Sequence, residues 1–86
     1  MINGPIACEG DATSHDGKLI RASGSLDIDG RRNGRLGDWV SCPEHGDNRI
    51  IEGSLLLDNG VTVAVDYCET ECGSRLIGSA RAHVDT

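Results

Sequence analysis

Apolar residues are spread along this chain in pairs and triplets, such as Leu19-Ile20, Ile50-Ile51 and Leu55-Leu56-Leu57, and no helical period is sustained through them. Short stretches have a strand-like character instead, notably Ser25-Leu26-Asp27-Ile28-Asp29 and Val61-Thr62-Val63-Ala64-Val65. Asp29-Gly30, Asn33-Gly34 and Asp58-Asn59-Gly60 read as hairpin turns, because Gly and Asn tolerate the positive φ that tight turns need. The pattern predicts an all-β chain.

The same pattern recurs in three segments. Gly10-Asp11-Ala12-Thr13-Ser14-His15 leads to Lys18-Leu19-Ile20 and then Ser23. Gly37-Asp38-Trp39-Val40-Ser41-Cys42 leads to Arg49-Ile50-Ile51 and then Ser54, and Tyr67-Cys68-Glu69-Thr70-Glu71-Cys72 leads to Arg75-Leu76-Ile77 and then Ser79. Each hexad ends in a side chain able to bind a metal and runs on into a basic residue with two aliphatics. In a pseudo-threefold fold, His15, Cys42 and Cys72 would meet near one axis. The middle segment is longer, and its extra residues hold Pro43-Glu44-His45-Gly46, which adds a fourth donor.

Composition explains why such a ring is needed. The 86 residues predict one domain, 1–86, with a thin core. Phe is absent and the only large aromatics are Trp39 and Tyr67, so a staple is expected. Met1 to Gly10 shows neither the basic nor the apolar part of a secretory signal, which predicts a cytosolic start and favours free thiols or metal over disulfides. No apolar run approaches the roughly 20 residues of a membrane span. The net charge of −6 argues against nucleic acid as a partner. Arg31, Arg32 and Arg35 lie beside Asp27, Asp29 and Asp38 and read as a solvated turn.

His15, Cys42, His45 and Cys72 together form a Cys₂His₂ set. Thiolates with imidazoles in fourfold coordination suit one structural Zn²⁺, with iron the less favoured alternative. Cys8 and Cys68 stand outside the ring positions, Cys68 matching Asp11 and Asp38. They read as partly buried small hydrophobes, or as a pair with each other, and His83 reads as a surface residue.

These motifs resemble the PAAR-repeat family of spike-tip proteins from type VI secretion systems and contractile phage tails. The resemblance rests on Gly10-Asp11-x-x-Ser14-His15-x-Gly17, Gly37-Asp38-x-Val40-Ser41-Cys42-Pro43-x-His45-Gly46, Ile51-Glu52-Gly53 and Glu71-Cys72-Gly73-x-x-Leu76-Ile77. The namesake tetrapeptide is degenerate, with Arg32-Asn33-Gly34-Arg35 in its first copy and Thr62-Val63-Ala64-Val65 in its second; His15-Asp16-Gly17 stands for the family's His-Gly-Gly. The resemblance implies a small cone of three β segments, zinc near its apex, and a base docked on a trimeric VgrG-type spike, one copy per trimer.

A cap of this kind would be made in the bacterial cytoplasm and carried by the injection machine to the exterior or the target cell, or sit in a virion tail. It would touch the target membrane transiently, with an effector as optional cargo. Leu26, Ile28, Leu55, Leu56 and Leu57, with Ala80 to Val84, are the expected spike contacts. The rival readings are a zinc-ribbon-like binding module and a small metallohydrolase using Glu44 as base.

Overall fold

In the computed structural model, residues 3–84 are described, and Met1, Ile2, Asp85 and Thr86 lie outside them. Nine short strands carry the described chain, with no helix among them: β1 (Gly4–Pro5), β2 (Leu19–Arg21), β3 (Asp27–Ile28), β4 (Arg31–Arg32), β5 (Trp39–Val40), β6 (Asn48–Arg49), β7 (Leu57–Asp58), β8 (Val61–Thr62) and β9 (His83–Val84). The all-β expectation holds. Pairing is antiparallel throughout, in the order β2-β5-β6 for the three-stranded sheet and as pairs β3-β4, β7-β8 and β1-β9.

The threefold repeat seen in the sequence is real in the backbone. Ala7 N donates to Ala64 O (3.0 Å), Ala64 N to Gly34 O (2.9 Å) and Gly34 N to Ala7 O (2.7 Å), a closed ring of three hydrogen bonds joining all three segments. Isolated bridges Ile6↔Val65, Cys8↔Asn33 and Arg35↔Val63 repeat around the same ring. Later in each segment, Leu19, Ile50 and Leu76 occupy equivalent positions and are buried to within 1%. Burying an aliphatic of this size stabilises by about 1.5–3 kcal/mol, so the layer is the main hydrophobic anchor of a core otherwise made of Ile6 and of Val, Ala and Cys. Neither large aromatic joins it: Trp39 is half-buried and Tyr67 exposed.

Two of the three expected turns form. Asp29-Gly30 closes β3-β4 with φ of 53° and 83°, and Asn59-Gly60 closes β7-β8 with the same values, both matching the mirror-image turn that suits strand twist. Asn33-Gly34 is not a turn. Asn33 is fully buried, its Oδ1 accepting from Leu26 N (3.0 Å) and its Nδ2 donating to Asp58 Oδ2 (3.2 Å), while Gly34 lies on the threefold ring. A Cβ at Gly34 would come within 2.8 Å of Leu19 Cδ2, so this position needs a bare backbone for packing. The β1-β9 pair takes the place of a third hairpin, with Pro5, Arg32 and Thr62 equivalent, and is formed by strands distant in sequence. The structure therefore adds a copy of the namesake tetrapeptide ahead of those read from sequence, Pro5-Ile6-Ala7-Cys8.

The solvated reading of the basic knot is overturned for two of its three members. Arg31 Nη1 pairs with the buried Asp11 carboxylate at 2.7 Å and its Nη2 reaches Ser79 Oγ (3.1 Å). Arg35 donates from Nε to Ser23 Oγ (3.0 Å) and from Nη1 to Asp58 O (2.8 Å). Arg32 alone is exposed. Both guanidiniums fasten one segment to another over long sequence distances, which local charge composition does not reveal.

Cys8 and Cys68 are free thiols and fully buried, deeper than expected, and burial pushes both thiols up in pKa. Cys68 acts as the counterpart of Asp11 and Asp38 in detail. Asp11 Oδ2 accepts from Cys8 N (2.8 Å), Asp38 Oδ2 from Arg35 N (2.7 Å) and Cys68 Sγ from Val65 N (3.5 Å). His83 is exposed, as expected.

Candidate metal centre

Two of the donor-bearing loops are built the same way. In the first, Thr13 N donates to Gly17 O (2.9 Å) and Thr13 Oγ1 accepts from Gly17 N (3.1 Å) and His15 N (3.3 Å). In the third, Thr70 N donates to Ser74 O (2.9 Å), and Thr70 Oγ1 lies 2.5 Å from Ser74 Oγ and 3.4 Å from Cys72 Sγ. Each loop turns through a left-handed residue after its donor, Asp16 (φ 63°) or Gly73 (φ 88°). The middle loop is wider: Gly46 N returns to Cys42 O (2.8 Å), with Gly46 left-handed at φ 78°.

These loops bring His15, Cys42, His45 and Cys72 together, with one donor atom of each lying within 4.8 Å of all the others. Cys42 Sγ is 3.3 Å from His45 Nδ1 and 3.9 Å from His15 Nδ1, and Cys72 Sγ is 3.7 Å from His15 Nδ1. Tetrahedral zinc with ordinary Zn–S and Zn–N bonds would separate its ligand atoms by about 3.4–3.8 Å. The four side chains could hold one metal ion without rearranging their loops. Cys42 is buried, His15 and Cys72 are half-buried, and His45 is exposed, so the centre lies at the surface.

Cys72 is prepared for ligation. Burial pushes its thiol up, but the Ser74 and Thr70 hydroxyls, the Ser74 N–H and the His15 ring outweigh that and hold its pKa at about 6. A thiolate is the form that binds metal.

Asn48 was not singled out from sequence. It is buried, donates from Nδ2 to Gly46 O (3.0 Å) and accepts at Oδ1 from Cys72 N (3.3 Å), tying the His45 loop to the Cys72 loop. Thr13 and Thr70 were also missed, although a Thr two residues ahead of the donor in two copies is a readable signal. Gly17 has a packing role: a Cβ there would fall 1.7 Å from Ser41 O, against the backbone that leads into Cys42.

The fold and the site thus define a small threefold all-β unit carrying a Cys₂His₂ donor set. The PAAR motif signature matches residues 9–78, and the chain belongs to the PAAR motif family. This is a structural, non-enzymatic family of spike-tip proteins in type VI secretion, and membership implies its conical fold and association with a VgrG spike. Its non-enzymatic character sets aside the metallohydrolase reading of Glu44, which is exposed. A comparison with curated proteins finds no match.

Proposed function

We propose that this chain caps a trimeric VgrG-type spike, one copy per trimer, with a single structural Zn²⁺ held by His15, Cys42, His45 and Cys72. The observation that carries this reading is the convergence of the four donors from all three segments, within 4.8 Å, in a chain of the PAAR motif family. An ion bound there would cross-link loops that have little apolar interior between them, and structural zinc contributes apparent folding free energy of about 10–16 kcal/mol in small zinc domains. All four positions are filled by protein, which is the arrangement of structural sites.

The proposed docking surface is the end formed by the three strand pairs. Leu26, Leu55, Leu56 and Leu57 are exposed there, Leu57 at 59%. Ile28 differs from its neighbours, being half-buried against the core, so it supports the surface more than it presents it. Three equivalent strand pairs, β3-β4, β7-β8 and β1-β9, can face three equivalent spike subunits. Native mass spectrometry of the co-expressed complex should give one chain per spike trimer; three chains per trimer would refute the reading. Type VI delivery, a single domain spanning 1–86 and zinc rather than iron belong to this same proposal.

A further inference from the structure

The flank beside the metal loops carries three equivalent rows of residues. Each row crosses two neighbouring segments, and the three differ in chemistry. One comprises Glu52, Glu69 and Arg75, in which Arg75 Nη1 pairs with Glu52 (2.9 Å) and Nη2 with Glu69 (3.4 Å). A second comprises Gly78, Ala12 and Lys18, with a single cation. The third is Arg21, Trp39 and Arg49, directly opposite one another across β2, β5 and β6. There the places of the two glutamates are taken by a guanidinium and an indole.

A β-bulge creates that third row. Leu19 pairs with Val40 and Arg21 with Trp39, so Ile20 is an extra residue that reverses the alternation of β2. Regular pairing would send Arg21 to the same face as the buried Leu19. The bulge instead turns Arg21 outward beside Trp39 and leaves Ile20 exposed. Arg49 stacks over the indole at 4.6 Å from its centroid. Among the described residues neither Arg21 nor Arg49 makes an ion pair. Of the nearby carboxylates, Glu9 accepts from Ala22 N (3.1 Å), Asp38 from Ser23 and Arg35, and Glu71 from Arg49 N (2.8 Å), while Asp47 lines the groove with Ile20, Arg21 and Trp39.

We propose that Arg21, Trp39 and Arg49 form a binding site for the phosphate of an anionic membrane lipid. The inference rests on the spike-tip reading, because the row adjoins the loops of the proposed tip. Adjacent strands are about 4.8 Å apart, so two long arginines flanking one strand can converge on a single phosphate, which guanidinium planes bind with paired hydrogen bonds. Indole with exposed Ile20 suits the boundary between headgroup and acyl chain, where an amphipathic ring is favoured. A chain of net charge −6 is otherwise repelled by such a surface, so contact is expected only where two arginines outside any ion pair flank an indole.

The test uses the full chain loaded with zinc and vesicles of phosphatidylcholine with or without phosphatidylglycerol. Trp39 is the only tryptophan, so its emission reports this row alone. Expected are a blue shift and co-sedimentation with phosphatidylglycerol vesicles at low salt, reduced about tenfold or more in R21Q/R49Q. The charge-matched variant K18Q/R81Q should retain most of the binding. Equal loss in both variants, no binding to anionic vesicles, or abolition of vesicle binding by low millimolar inorganic phosphate would each overturn the proposal. The assay uses no spike, so its failure is separable from failure of spike docking.

Discussion

Asp11 shows how much one side chain can hold in a protein with so little core. Its carboxylate accepts from Cys8 N, Arg31 Nη1, Ser79 Oγ (2.6 Å) and Ser79 N (3.3 Å), tying the first segment's loop to β4 and to the C-terminal stretch. Burial alone would raise its pKa, but the Ser79, Cys8 and Arg31 contacts together hold it below the ordinary value. A carboxylate with a depressed folded pKa contributes stability that is present above the unfolded value, about 3.9, and is lost as pH falls through the folded one. Asp11→Asn should therefore cost about 2 kcal/mol at pH 7 and flatten the acid limb below about pH 5, measured by denaturant titration across pH. A variant with an unchanged acid limb would show that Asp11 is not a principal acid-sensitive group. At the donor set the expected scale is larger. His15→Ala or Cys72→Ser should exceed the 0.5–3 kcal/mol usual for point mutations, whereas Cys8→Ala should stay near about 1 kcal/mol. Chelation that leaves the melting temperature unchanged would count against that difference.

Among the elements, the glycines separate two ways in which a turn can fail. Gly60 closes β7-β8 at φ 83° with no atom within 4 Å of where a Cβ would stand, so Gly60→Ala should cost only the conformational penalty of about 1 kcal/mol. Gly17 has room for no Cβ at all, because Ser41 O stands in the way, and Gly17→Ala should cost more than about 3 kcal/mol and lower metal retention together. Equal melting temperatures for the two variants would refute this contrast. What sequence revealed at this scale was whatever is encoded locally: the donor that ends each hexad, the aliphatic pair behind it, and the Asp29-Gly30 and Asn59-Gly60 turns. Asn33-Gly34 carries the same local signal but is spent on the threefold ring. Arg31 and Arg35 find their partners in other segments, and Asn48 acts only through the approach of the His45 and Cys72 loops. The β1-β9 pair was hidden because its two strands are distant in sequence and no local turn signal joins them.

For the whole molecule, the repeat sets out the division between an end that carries the four donors and an end that carries the strand pairs, within overall extents of 32 × 26 × 20 Å. Leu56 is exposed at 41%, so Leu56→Asp should weaken spike docking at least about tenfold while leaving metal content unchanged. Undiminished docking would place the contact elsewhere. The central claim is that the chain is pinned by zinc in a site of two thiolates and two imidazoles. Metal analysis joined to zinc-edge X-ray absorption on gently purified protein tests it most directly. The expected result is one zinc per chain with two sulfur neighbours near about 2.3 Å and two nitrogens near about 2.0 Å. Protein that is folded without metal, or zinc surrounded only by oxygen and nitrogen, would contradict it.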